Sequence, residues 1–253
     1  MKNFRESAAA RASNDEERLL ARRLCDLSER ADRSGVLVST GFLSPSEQEF
    51  CKMVAALLPS PLSFDGGFDG AERAVACFGE YGERPITALK LEHKTPLGHR
   101  DILGTVLGLG LERSVVGDIV AGETESRIVV LRANLTFLLS QLDRAGRTPL
   151  VVTELPLEEF EPPERRTERS VVSLASPRLD ALVAAAWGLS RDEAQSQLTR
   201  GLVQLNHRQT LDHSKQVREG DTVSLRGRGK LVVGETLGES RRGRLRIAIE
   251  KYI

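Results

Sequence analysis

The sequence predicts an α+β protein in three parts: a helical N-terminal region (residues 1–70), a middle domain (71–160) and a C-terminal domain (171–253). Apolar residues recur at helical spacing near the N-terminus, and strand-like and helix-like segments alternate in the middle of the chain. A segment rich in proline and charge, residues 160–170, has the composition of a linker. The 253 residues, 40% of them hydrophobic, are enough to bury a core in each part.

Two amphipathic helices are expected in the N-terminal region. The first covers residues 14–32, where the apolar stripe consists of Leu19, Leu20, Leu24 and Leu27. The second opens at Ser44, which can cap the first turn, with Pro45 at a position that suits proline and Glu47 three residues after the cap. Its apolar stripe consists of Phe50, Val54, Leu57 and Leu58.

The middle domain shows a definite order of elements. Strand patterns and helix patterns follow one another at residues 87–93 (strand), 100–111 (helix), 118–120 and 127–131 (strands), 134–142 (helix) and 150–155 (strand). The order β-α-β-β-α-β is that of ferredoxin-like and RNA-recognition folds. RNA-binding versions usually stack bases on aromatic side chains of the central strands, and residues 118–131 contain none. Any RNA contact of this domain is therefore expected elsewhere, and Gly104, Gly108 and Gly110 indicate close packing of its first helix.

The C-terminal domain is expected to hold two short helices and a small sheet. Leu179, Leu182, Val183 and Ala186 form one apolar helix face that ends at Gly188. Ser190 and Glu193 form a capping box for a second helix, which buries Ala194 and Leu198 and ends near Gly201. Strand alternation follows at Val203 and Leu205, then again at Val223 and Leu225, with turns at residues 206–207 and 220–221.

Positive charge is concentrated at the C-terminal end of the neutral chain. Residues 176–253 contain 14 Lys and Arg against 9 Asp and Glu, a net +5, which leaves −5 for residues 1–175. Arg191 and Gln195 lie one turn apart on the exposed side of the second helix, and Arg226, Arg228 and Lys230 share strand parity. Because guanidinium groups bind phosphate oxygens bidentately, this face is suited to an RNA backbone. The alternative for Arg191 is a solvated surface charge.

These residues resemble the S-four RNA-binding domain, named after a small-subunit ribosomal protein. The resemblance rests on Arg178-Leu179-Asp180, Ser190-Arg191, Gly201-Leu202-Val203-Gln204-Leu205-Asn206, Gly220-Asp221 and the run from Arg226 to Lys230. His207 departs from the pattern, which usually has glycine there. The RNA-binding residues expected from the resemblance and the basic face are Arg178, Ser190, Arg191, Gln195, Arg200, Asn206, Arg208, Lys215, Arg226, Arg228 and Lys230.

Upstream motifs resemble the YlmH family of bacterial S-four-domain proteins. They are Gly66-Gly67-Phe68-Asp69-Gly70, the run from His99 to Gly104, Gly108-Leu109-Gly110, Arg113 and Gly117-Asp118-Ile119. The resemblance implies a non-enzymatic protein of ribosome-associated quality control. Its implied partners are ribosomal RNA and tRNA on the large ribosomal subunit and other quality-control proteins, and it implies no cofactor. The N-terminus has no apolar core of a secretory signal, which predicts a cytoplasmic protein. His99, Arg100 and Arg113, at and after the helix near residue 100, are candidates for a second surface for RNA or a partner. The alternative for these three residues is a simple capping or surface role.

Other function classes find little support in the sequence. Cys25, Cys51 and Cys77 are too few and too far apart for a disulfide framework, and the four histidines form no metal-ligand motif. The uncharged stretch 102–111 is half the length of a membrane-spanning helix, which needs about 20 residues. Asp180 lies in a tripeptide similar to the catalytic one of pseudouridine synthases, but it opens the module instead of following it. We therefore expect Asp180 to be a surface or helix N-terminal carboxylate without a catalytic role.

Two alternatives to an RNA-binding protein remain open. The first is an RNA-modifying enzyme whose active site lies in the middle domain around Asp101 or Glu92. The second is an adaptor whose acidic N-terminal part recruits a protein partner to RNA.

Overall fold

The computed structural model describes residues 4–162, 167–240 and 243–252. These residues form helices and antiparallel sheets, so the predicted α+β class is confirmed. The chain divides into two compact units, Met1–Pro163 and Glu164–Ile253.

The first unit begins with helices packed on a small sheet. Its first elements are α1 (Phe4–Ala9), α2 (Asp15–Ser34), β1 (Val38–Leu43), α3 (Pro45–Ala55), β2 (Ser63–Asp65) and β3 (Ala74–Phe78). The two predicted helices are confirmed as α2 and α3, and the capping box of Ser44 and Glu47 is present. Leu20 and Leu24 face the core, but Leu19 does not, because 67% of it is exposed to solvent.

The N-terminal region was expected to be helical, and the structure adds a sheet to its helices. β1, β3 and β2 form a three-stranded antiparallel sheet with β3 at its centre, and every residue of β3 is buried. This sheet extends beyond residue 70, where the N-terminal region was expected to end. β1 pairs with β3 across a long stretch of chain, for example Val38 with Phe78, so no local pattern indicates this pairing.

The middle part of the first unit has the predicted element order with one added hairpin. The elements are β4 (Ile86–Glu92), α4 (His99–Gly108), β5 (Val116–Val120), β6 (Glu125–Leu131), α5 (Leu135–Gln141), β7 (Arg144–Ala145), β8 (Thr148–Pro149) and β9 (Val151–Leu155). Four of the strands form an antiparallel sheet in the order β5-β6-β4-β9, and β7 and β8 form a separate hairpin that the sequence did not predict.

Both faces of this four-stranded sheet are covered over much of their area. On one face, Leu89 and Ile128 belong to a core that includes residues of α4 and α5. On the other face, Ala88 and Val129 are fully buried in a core that includes Phe42 of β1. The sheet face that RNA-recognition folds leave open for bases is therefore occupied here by the N-terminal sheet.

The second unit contains two helices and one sheet. Its elements are β10 (Thr167–Leu174), α6 (Leu179–Trp187), α7 (Arg191–Thr199), β11 (Val203–Leu205), β12 (Arg208–Gln209), β13 (Thr222–Leu225), β14 (Gly229–Glu239) and β15 (Leu245–Tyr252). The strands are ordered β10-β15-β14-β13-β11-β12, with antiparallel pairing throughout. The predicted helix ends are confirmed at Gly188 and Gly201, which have φ values of 64° and 68°.

The linker expected at residues 160–170 is shorter in the structure. Residues 163–166 lie outside the described part of the chain, and β10 already begins at Thr167. Residues 167–170 pair with β15, from Thr167 opposite Tyr252 to Ser170 opposite Ile249. Backbone pairing thus converts charged residues with linker-like composition into the first half of a strand.

Candidate nucleic-acid interface

A buried carboxylate gathers polar side chains at the start of α6. Asp180 is fully buried, and its two carboxylate oxygens accept hydrogen bonds from Nε and Nη2 of Arg178, both at 3.0 Å. Gln195 of α7 donates to the same carboxylate at 3.0 Å, and Nη2 of Arg191 lies 3.5 Å from it. We call Arg178, Arg191 and Gln195 with Asp180 the Asp180 cluster.

The carboxyl group of Asp180 is ionised at physiological pH. Burial by itself raises the pKa of this carboxyl group, but the hydrogen bonds from Arg178 and Gln195 outweigh that effect and hold the pKa well below its usual range. The backbone N–H of Ala181 donates a further hydrogen bond at 2.8 Å. Asp180 was expected at the surface, and its burial corrects that expectation, whereas its place in the first turn of α6 agrees with it.

The Asp180 cluster carries net positive charge toward solvent. The side chain of Arg191 is 62% exposed and that of Arg178 is 31% exposed, although both approach Asp180. Lys215 is exposed, and its carbonyl oxygen accepts from the backbone N–H of Leu179 at 2.8 Å, which places it beside the start of α6. Two arginines therefore approach one buried anion, and their guanidinium groups remain partly open to an outside phosphate.

Arg226 and Arg228 lie in a turn, which corrects the expectation of shared strand parity. β13 ends at Leu225 and β14 begins at Gly229, while Gly227 and Gly229 adopt φ values of 79° and 93°. Both arginines are exposed, and the carbonyl oxygen of Arg228 accepts from the indole N–H of Trp187 at 2.8 Å. Of the three residues, only Lys230 is in a strand, where its Nζ lies 4.6 Å from the ring centre of Tyr252.

The remaining candidates in the second unit have mixed roles. The hydroxyl of Ser190 accepts from the backbone of Glu193 as the cap of α7. The amide of Asn206 donates to Asp221 at 2.8 Å and accepts from the backbone of Thr222 at 2.8 Å, so it fixes the β11–β12 turn. Ser190 and Asn206 are therefore not among the phosphate-binding residues that we propose. Arg200 is exposed at the end of α7, and Arg208 is half-buried on β12.

The second surface expected from His99, Arg100 and Arg113 is only partly formed. His99 and Arg100 are exposed in the first turn of α4. Arg113 points inward, because its guanidinium donates to the carbonyl oxygens of Val116 and Gly117. Burial lowers the pKa of Arg113 to about 10. Arg113 therefore supports β5 and does not belong to a surface with the other two residues.

The glycines of α4 are not explained by close packing. A Cβ atom at Gly104, Gly108 or Gly110 would meet no heavy atom within 4 Å among the described residues. This corrects the expected close packing of the helix. Gly104 and Gly108 are exposed on the side of α4 that faces the β7–β8 hairpin, across an open groove.

Replacing Gly104 by alanine is expected to stabilise the protein. Glycine inside a helix is less favourable than alanine by about 0.5–1 kcal/mol, and here the added methyl group meets nothing. Urea unfolding of Gly104→Ala should give a free energy of unfolding higher by that amount. Gly117→Ala is the contrasting variant and should destabilise the protein, because its Cβ would lie 2.6 Å from the Phe42 ring. Stabilisation by both changes, or by neither, would contradict this difference in packing between the two glycines.

Asp101 and Glu92, the carboxylates considered for an RNA-modifying active site, take part in local contacts. Asp101 accepts from the backbone N–H of Gly98 at 2.8 Å, and Glu92 forms an ion pair with Lys90 at 2.6 Å. Within the described ranges there is no group of three or more His, Cys, Asp or Glu residues placed to hold a metal ion. Cys25, Cys51 and Cys77 are buried free thiols, and no helix among the described residues has the length and apolar character to cross a membrane.

The chain is similar to a described protein family and to known bacterial proteins. A family profile described as "Putative RNA-binding domain in YlmH" matches residues 88–159. The "Ribosome-associated protein quality control protein P2" of Bacillus subtilis (strain 168) is 31% identical over 221 residues, which cover 84% of this chain and 86% of that protein. The solved structure of "Cell division protein ylmH from Streptococcus pneumoniae" is 22% identical, with a TM-score of 0.49, and the match covers 59% of this chain and 98% of that chain.

The protein is therefore of the α+β class, and its middle part matches a domain of RNA-binding type. The chain belongs to the YlmH family, as its extended similarity to the Bacillus subtilis protein shows.

Proposed function

We propose that this protein binds ribosomal RNA and adjacent tRNA on the large ribosomal subunit, in rescue or quality control of stalled translation, and that it catalyses no reaction. The observation that carries the proposal is the Asp180 cluster, in which a buried anion orients two arginines whose guanidinium groups still reach solvent. The name of the Bacillus subtilis relative supports a role at the ribosome.

The proposal assigns different domain types to two parts of the chain. The C-terminal unit acts as an S-four-like RNA-binding domain, and the sheet of β4, β5, β6 and β9 belongs to a ferredoxin-like domain. The protein works in the cytoplasm, without a cofactor, and other quality-control proteins are its further partners. The contact residues of the C-terminal domain are the exposed cations Arg191, Arg200, Lys215, Arg226 and Arg228, together with the half-buried Arg178, Arg208 and Lys230.

Orientation by Asp180 favours phosphate binding for a physical reason. A free arginine loses side-chain entropy when it binds, and that loss opposes binding. The bidentate contact with Asp180 already fixes the guanidinium of Arg178. Arg191 lies in the first turn of α7, where the helix dipole also favours an anion. A phosphate therefore meets donors whose positions are largely set before binding.

Sedimentation with purified ribosomal subunits tests the proposal. The wild-type protein is expected to migrate with large subunits, and the double variant Arg191→Ala, Arg228→Ala should bind at least tenfold more weakly, because each charge-assisted phosphate contact contributes about 1–2 kcal/mol. Both residues are exposed, so the variant is expected to fold normally.

Arg169→Ala, Arg246→Ala is the matched control, since it removes the same charge from exposed positions of β10 and β15. Its binding should equal that of the wild type. Wild-type protein that binds neither subunit would contradict the proposal and favour the adaptor alternative. Modified nucleotides in RNA incubated with the protein would instead favour an enzyme.

A further inference from the structure

A groove with three arginines lies in the first unit, on the side of the four-stranded sheet that carries α4. It has a volume of about 900 Å3 and opens between α4 and the β7–β8 hairpin. Arg100 contributes from α4, and Arg144 and Arg147 contribute from the hairpin; all three side chains are exposed. We call this the α4–hairpin groove.

We propose that the α4–hairpin groove binds the phosphodiester backbone of RNA, as a second contact separate from the Asp180 cluster. This inference rests on the proposed function and deepens it, because it assigns an RNA-contacting surface to the domain that matches the family's RNA-binding profile. The groove lies inside the matched residues 88–159. The sheet face commonly used by such folds is covered by the N-terminal sheet, so contact must occur elsewhere.

The acidic side chains of the groove leave the arginines available. The carboxylate of Asp101 accepts a hydrogen bond from the backbone N–H of Gly98 at 2.8 Å. Asp143 lies 3.7 Å from Nε of Arg144, and the Arg144 side chain remains 72% exposed, so that ion pair is weak. The described part of the chain shows no ion pair for Arg100 or Arg147.

The walls of the groove are firmly held and combine polar with apolar residues. Ala145, 5% exposed, anchors the hairpin in the core that also contains Ile102 of α4. Small and polar residues form much of the lining, including Gly104, Gly108 and Thr105. A protein-binding groove generally offers deep apolar anchor pockets, whereas an open groove lined by exposed arginines suits a sugar–phosphate chain.

Loss of the three groove arginines should change both affinity and salt dependence. The full-length variant Arg100→Gln, Arg144→Gln, Arg147→Gln is compared with wild type for binding to purified large ribosomal subunits from 50 to 300 mM KCl. Each phosphate contact contributes about 0.7–0.9 to the slope of log affinity against log salt. The variant is expected to bind at least tenfold more weakly near 150 mM KCl, with a slope shallower by about 2.

Arg11→Gln, Arg22→Gln, Arg30→Gln is the matched control, because it removes three exposed arginines of the same unit outside the groove. It should retain wild-type affinity and slope. If the groove variant had the same affinity and salt slope as this control, the inference would be overturned while the proposed function stands. Loss of a co-purifying protein by the groove variant would not rescue the inference. Failure of the wild-type protein itself to bind large subunits would overturn both.

Discussion

Replacing Asp180 by alanine is expected to reduce both stability and RNA binding. The change leaves Gln195 and the guanidinium of Arg178 without their shared acceptor at a buried position. Removing one partner of a buried ion pair commonly costs about 3–5 kcal/mol, and the partial exposure of Arg178 reduces this to about 2–3 kcal/mol. Affinity for large subunits should fall at least tenfold, because Arg178 and Arg191 lose their common orientation.

Urea unfolding monitored through Trp187 measures the stability change. Trp187 is the only tryptophan, and it is 8% exposed in the core of the second unit. Asp192→Ala is the control, since Asp192 is an exposed carboxylate of α7 and should change stability by less than about 1 kcal/mol. If Asp180→Ala matched this control, the Asp180 cluster would have no structural role. Should Asp180→Ala fail to fold, Asp180→Asn keeps the shape and one acceptor oxygen and tests the same contacts.

The stability contribution of Asp180 should also depend on pH in a defined direction. Its pKa is lowered in the folded protein, so the contribution is fully present above the unfolded value of about 3.9 and is lost as pH falls further. The difference between wild type and Asp180→Asn should be constant from about pH 5 to 8 and shrink below about pH 4. A difference that already shrinks at pH 6 would show that another group is responsible.

Phe42→Ala should have the largest effect on the first unit. Phe42 is 2% exposed in the core between the N-terminal sheet and the four-stranded sheet. Its ring lies against Gly117, where even one added methyl group would come within 2.6 Å of it. Truncation of a buried phenylalanine commonly costs about 3–5 kcal/mol. The expected result is a first unit that opens far more often.

Thiol labelling under native conditions measures this opening, because all three cysteines are buried in the first unit. Where closing is faster than labelling, the labelling rate of Cys77 should rise more than a hundredfold in Phe42→Ala. Phe137→Ala removes a ring that is 42% exposed on α5 and should leave the rate nearly unchanged. Equal labelling rates in both variants would contradict the packing of the two sheets.

Local patterns were enough to predict the helices α2 to α7 and the element order of the middle part, but not the short helix α1. The capping boxes at Ser44 and Ser190 are short-range signals, and both are present in the structure. The N-terminal sheet was missed because its pairing is long-range and β1 lacks a clear alternation; four consecutive residues, from Thr40 to Leu43, are buried. The β7–β8 hairpin was missed because two-residue strands are too short to show a period.

The sequence indicated the charge of the C-terminal part but not the geometry of the Asp180 cluster. The basic character of the C-terminal part was visible in its charge, but the burial of Asp180 depends on Gln195, fifteen residues away, and on the packing of α6 against α7. The parity argument for Arg226 and Arg228 failed because Gly227 and Gly229 adopt left-handed conformations that form a turn. The nearby pair Arg178 and Asp180 was the signal that could have indicated the ion pair.

The most direct test of an RNA-binding role is the salt dependence of wild-type affinity for purified large ribosomal subunits. Four arginines of the C-terminal unit reach solvent at least in part: Arg178, Arg191, Arg226 and Arg228. Contact of each with one phosphate predicts a slope of log affinity against log salt of about −3 or steeper. A slope near zero, or no binding at 50 mM salt, would contradict phosphate recognition by these residues.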